Sequence, residues 1–115
     1  AFDKSVQAYG MNNDVITVVM SEFGRTLDPA AGIGSDHAWG NHWFAMGGPV
    51  KGGTVYGSTD EFGFAAAENP VHVHDLHATL LALFGCDHEK FTYHHAGRDF
   101  RLTDLHGKVV RGIMA

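Results

Sequence analysis

The sequence predicts an α/β fold with a mostly parallel sheet, on three observations. Val15 to Met20 is an unbroken apolar run, VITVVM, rich in β-branched residues and short for a helix, which is the pattern of a strand covered on both faces. Helical patterning stands before it and, at Asp75 to Phe84, well after it, so strand and helix alternate along the chain. Ser21, Glu22, Arg25 and Thr26 then crowd the carboxyl end of the apolar run, where open α/β sheets bind their ligands. Few partner strands are visible, so the expectation is that residues 1–115 form the carboxyl-terminal portion of one larger α/β domain. The amino-terminal half of the same polypeptide would then be a partner.

Taken in order, Phe2, Val6 and Tyr9 share one helical face and Gly10 is a natural stop. The loop MNND leads into the strand at Val15 to Met20, which is expected to lie in the interior of the sheet. A glycine-rich loop follows and holds SDHAWGNH, with Asp36 and His37 adjacent and His42 five residues later. Carboxylate oxygen and imidazole nitrogen together suit a divalent ion such as zinc or manganese. Arg25 is a planar, bidentate donor suited to phosphate or sulfate. The expected site therefore joins Glu22, Asp36 and His37 around metal, with Arg25 steadying the anion.

Trp43 to Met46 is a second short apolar run closed by Gly47 and Gly48, residues 49–53 read as a turn, and Thr54 to Tyr56 as a third strand. Residues 57–70 are mixed in character and read as a loop or lid. In the helix at Asp75 to Phe84, Asp75 serves as the cap, Leu76, Leu80, Leu83 and Phe84 line one face, and Gly85 ends it. Phe100 and Leu102 alternate around Arg101 as a short strand. Thr103 or Asp104 then caps a last amphipathic helix carrying Leu105, Val109 and Ile113.

Composition excludes some functions. The formal charge is −5 and the basic residues are scattered, so the electrostatic footprint of a nucleic-acid or anionic-membrane binder is missing. No apolar run approaches the roughly 20 residues needed to span a bilayer. The single cysteine, Cys86, has no partner for an internal disulfide and reads as a small buried residue. Nine histidines outnumber the eight Lys and Arg together, which directs attention to metal or proton chemistry.

The motifs SEFGRT, SDHAWGNH, GGPVKGG, HDLHATLLALFG and GRDFRLTD, in that order over nearly the whole chain, resemble the carboxyl-terminal part of the domain-of-unknown-function 1501 proteins of the alkaline phosphatase and sulfatase superfamily. That resemblance implies an α/β/α sandwich, an exported location, and hydrolysis of small phosphate or sulfate esters. It also implies two divalent ions (zinc, manganese, calcium or magnesium) and a Ser or Thr nucleophile in the amino-terminal half. Where the superfamily carries adjacent Asp and His ligands, this chain has Glu22 and Phe23, and Phe23 cannot ligate. His37 is similar in placement to the later metal-binding histidine, and Asp36 either ligates or orients it.

Two rival readings stand beside this one. VHVHDLH places His72, His74 and His77 near the H-x-H-x-D-H pattern of metallo-β-lactamase-like hydrolases, with the Asp one position early. The other is a degenerate hydrolase fold kept as a binding module, for which Phe23 is the argument. Plainer roles compete at each residue: a loop-capping Asp36, a surface His37, a structural Arg25, a packing His42, and Trp39 and Trp43 as wall or core.

Overall fold

Short glycine-punctuated segments give short elements here, and each strand pairs antiparallel with a single partner. The computed structural model describes residues 1–29 and 31–115. Helix α1 spans Phe2–Ala8, and the chain leaves it through Gly10 at φ +69°, a conformation open to glycine at little cost. Strand β1 (Thr17–Val19) pairs antiparallel with β4 (Phe44–Met46), Val18 opposite Ala45. Between them β2 (Gly24–Pro29) and β3 (Ser35–Ala38) form a second antiparallel ribbon, with Arg25 opposite His37 and a bulge before Pro29. A third ribbon joins β5 (Ser58–Thr59) to β6 (Ala66–Glu68), and a fourth joins β7 (Thr92–His95) to β8 (Arg98–Arg101).

These ribbons overturn the expected fold class. The described residues form two-stranded antiparallel sheets, not the mostly parallel sheet of an α/β/α sandwich. Val15–Met20 is not an interior strand: three of its residues pair on one edge, and Val19 and Met20 remain about half exposed. The helices stand apart from the ribbons, so no layered core is built among the described residues.

Helix α2 is the best-formed element. It runs Val73–Leu83, with Leu76, Ala78, Thr79 and Leu83 buried, and ends in Gly85 at φ +78°. Its cap is His72 rather than Asp75. The His72 Nδ1 accepts from the His74 N–H at 3.3 Å while Asp75 Oδ2 accepts from the His72 N–H at 3.0 Å, a reciprocal cap in which Asp75 sits one turn inside. Leu80 is half-buried and Phe84 largely exposed, so the apolar face is narrower than its sequence suggests.

Three further expectations are corrected. Thr54–Tyr56 is not a strand, and pairing begins instead at Ser58. The stretch 57–70 is a hairpin, because the Asp60 carboxylate gathers the N–H groups of Phe62, Phe64 and Ala65 and tightens the turn between β5 and β6. The last amphipathic helix is absent: Thr103 is fully buried, and beyond it there is one 3₁₀ turn at Arg111–Ile113. The closing segment is held by a bridge between Val50 and Met114 and by the Lys51 N–H on the Ile113 carbonyl at 2.8 Å.

Burial is sparse. Among the described residues the buried apolar side chains are Leu76, Ala78 and Leu83, all on α2. The radius of gyration is 17.1 Å, against about 13 Å for a compact chain of this length. The molecule is open, and its ribbons touch one another only sparingly.

Candidate functional site

The residues singled out by sequence gather on the β2–β3 ribbon, and strand alternation decides which of them meet. Arg25 and His37 are cross-strand partners and so share one face. Phe23, just ahead of β2, lies on that face as well: its ring stacks on the His37 imidazole at 3.7 Å between centroids, and the Arg25 guanidinium stands 4.9 Å from the Phe23 centroid. One aromatic ring thus joins a guanidinium and an imidazole. Arg25 is steadied further by donating from Nη1 to the Ser35 carbonyl at 2.8 Å, which uses one arm of its fork. Phe23 is therefore the packing centre of this patch, a role that its failure as a ligand hid.

Asp36 falls on the other face, because neighbours on a strand point oppositely. Its backbone N–H donates to Thr26 Oγ1 at 3.1 Å, and its Oδ1 accepts from the His37 N–H at 2.7 Å. The carboxylate is folded onto its own strand. Glu22 is exposed, two residues ahead of β2. Among the described residues no three His, Cys, Asp or Glu side chains stand together in a way that could hold a metal ion. Asp36, His37 and Glu22 thus do not by themselves fit the divalent ion that the family resemblance implies.

The ribbon is positioned by contacts that sequence reasoning passed over. The Ser21 carbonyl accepts from Asn41 Nδ2 at 2.5 Å and from Trp43 Nε1 at 3.0 Å, which clasps the turn before β2 to the segment after β3. Trp43 is thus a tether at its polar end. Gly40 is buried, and its N–H donates to the Phe64 carbonyl at 2.6 Å, docking the ribbon against the β5–β6 turn. Gly24 must be glycine, because a Cβ there would collide with the Gly40 carbonyl oxygen. A polar residue at a strand end and a Gly-Asn pair were the available signals. His42 packs edge-on to Phe44 at 5.5 Å, as a packing residue would.

The rival histidine cluster assembles differently from its sequence order. His72 and His74 stack at 5.0 Å, and the third imidazole near them is His106, 5.5 Å from His74. His72 is already committed as the helix cap. Asp75 Oδ1 meanwhile accepts from the Lys108 N–H at 2.7 Å, tying the 106–108 segment to α2. Burial alone would raise the Asp75 carboxyl, but the amide N–H groups of His72 and Lys108, with the nearby Lys108 charge, outweigh it and hold the group below its ordinary value. Asp75 is therefore held as a carboxylate.

A family model described as "Protein of unknown function (DUF1501)" matches residues 1–114. Neither the curated proteins nor the solved structures contain a match to this chain.

Proposed function

The chain belongs to the DUF1501 family, and from that membership and the geometry of the β2–β3 ribbon we propose that it supplies the anion-holding part of a phosphate- or sulfate-ester hydrolase. The observation that carries the reading is the cross-strand pair of Arg25 and His37, set on one face and joined through the Phe23 ring. With Nη1 donating to the Ser35 carbonyl, Arg25 keeps its remaining N–H groups for the non-bridging oxygens of a small anionic ester, and His37 offers a ring nitrogen beside them. The resemblance to the alkaline phosphatase and sulfatase superfamily enters this reading as ester chemistry alone. In it, the amino-terminal part of the same polypeptide provides the nucleophile, and no step is routed through a metal ion, whose donors do not converge here.

One observation favours a second reading, a binding module without turnover. Phe23 stacks on a face of His37 at 3.7 Å, which gives the imidazole a packing role in the ribbon that needs no turnover. The two readings part on hydrolysis.

The test is a titration of the protein with inorganic phosphate and sulfate, followed by backbone amide shifts of residues 23–26 and 35–38, together with turnover of 4-nitrophenyl phosphate and sulfate by the full-length polypeptide that carries the amino-terminal part. Arg25→Gln is expected to weaken anion binding by about tenfold or more, the usual weight of a charge-assisted hydrogen bond. His37→Ala should lower binding less than Arg25→Gln and turnover at least as much. Binding without turnover assigns the second reading. Anion affinity unchanged in both variants sinks both.

A further inference from the structure

Away from the ribbon, a cleft of about 600 Å³ opens between the carboxyl end of α2, the turn at residues 85–89 and the closing segment 107–114. That volume lies within the ~300–1,000 Å³ typical of small-molecule sites. Its walls are built rather than incidental. On one side the Lys108 N–H is held by Asp75 at 2.7 Å, the Val110 N–H by Thr79 Oγ1 at 2.9 Å, and Met114 by its bridge to Val50. On the other, the Cys86 N–H donates to the Leu81 carbonyl at 2.8 Å and the Phe91 N–H to the Asp87 carbonyl at 2.8 Å. His88, buried, has Nδ1 3.0 Å from the hydroxyl of fully buried Thr103.

The charges of this cleft are unequal in their partners. Asp87 is paired with Lys90 at 3.0 Å and accepts from the Glu89 N–H, and Glu89 lies 3.9 Å from Arg101. Both acids are thus already answered from outside the cleft. Lys108 and Arg111, which line it, have no carboxylate within ion-pair distance among the described residues, although the Lys108 charge acts at longer range on Asp75. Carbonyls of the last turn of α2 are turned into its own cap, where Phe84 donates to Leu80 and Leu81, Gly85 to Ala82 and Cys86 to Leu81, so much of the negative end of the helix is answered there. Ala82, Val109 and Met114 add an apolar patch to the lining.

We infer that this cleft binds a small organic anion, its carboxylate or phosphate held by Lys108 and Arg111 and its short apolar part lying on Ala82, Val109 and Met114. Inorganic phosphate, acetate and hexanoate separate the two halves of that claim: the first two probe the cations alone, the third the cations with the apolar patch. The site is independent of the β2–β3 ribbon, so the titrations are made in the Arg25→Gln variant, which removes the ribbon's anion contact. Saturable amide shifts at residues 107–111 are expected, with hexanoate binding at least about tenfold tighter than acetate as its methylenes leave water. The double variant Lys108→Gln with Arg111→Gln should weaken hexanoate by at least about tenfold, while the swap Lys108→Arg with Arg111→Lys keeps both charges and should keep binding. No saturable shift up to about 10 mM ligand, or shifts that persist in the double Gln variant, overturns the proposal. Loss of binding in the charge-preserving swap overturns it equally, because it shows that the two side chains shape the wall and do not hold the anion.

Discussion

One carboxylate at Asp75 closes two backbone gaps, and that makes it the residue on which local order around α2 most depends. Its Oδ2 takes the His72 N–H and its Oδ1 the Lys108 N–H. Removing it leaves two amides without their partner, a loss on the order of 1–2 kcal/mol for a cap of this kind. Asp75→Ala is therefore expected to lower the hydrogen-exchange protection of the Lys108 amide by about tenfold and to fray the first turn of α2; unchanged protection would show that the segment is held by other contacts. The pH dependence follows from the lowered carboxyl. A folded value depressed below the ordinary 3.8 gives stabilisation that is present above that value and lost as pH falls through the lowered folded one. Acid should release the 106–108 segment in the native protein and make no such difference in Asp75→Ala. The sequence pointed to Asp75 as cap because His is outside the usual N-cap set; the acidic residue three places along was in fact the second half of the cap, with His72 the first.

At the scale of elements, the β7–β8 hairpin is the clearest feature that periodicity did not reveal. Its pairing runs from Thr92 with Arg101 to His95 with Arg98, leaving Ala96 and Gly97 as a two-residue loop at φ +48° and +79°. Two positive values define the turn that matches strand twist, and its usual residues are Asn-Gly or Asp-Gly. Ala-Gly carries only half of that signal, which is why the sequence shows one short strand around Arg101 and not the pair. Tyr93 stacked on Phe100 at 5.6 Å and His94 bonded to Asp99 at 2.7 Å hold it on its two faces. An Ala96→Asn substitution puts a residue that tolerates the left-handed region where alanine is strained, and is expected to stabilise the hairpin by about 0.5–1 kcal/mol. Stronger cross-strand NOEs between Tyr93 and Phe100 would register it; weaker ones would mean that the turn conformation is different. The site ribbon was legible in its members and not in its geometry, because a motif such as SDH states neighbours while strand alternation parts Asp36 from His37.

For the whole molecule, the mismatch between sequence pattern and structure is itself physical information. Val15 to Met20 has the composition of a strand covered on both faces, yet Val19 and Met20 are 54% and 52% exposed and one edge of β1 is open. The described residues contain no layer that could cover it, and local pattern cannot say where a covering layer comes from. The accessible surface is 8586 Å², whereas a compact protein of this mass exposes about 6,100 Å². The excess is larger than the ~800 Å² that each partner gives to a standard interface, and it includes Phe2, Phe44, Met46, Phe62 and Phe84. With α2 holding the buried apolar side chains, cooperative unfolding has little to act on. The chain in isolation should therefore bind a hydrophobic dye, associate as its concentration rises, and melt over a broad range. At the lowest concentrations its small-angle scattering should return a radius near the 17.1 Å of this structure. A monomer of about 13 Å with a sharp, reversible transition would mean that the ribbons close on α2 to make a core, and that the open arrangement is not the resting form of the protein.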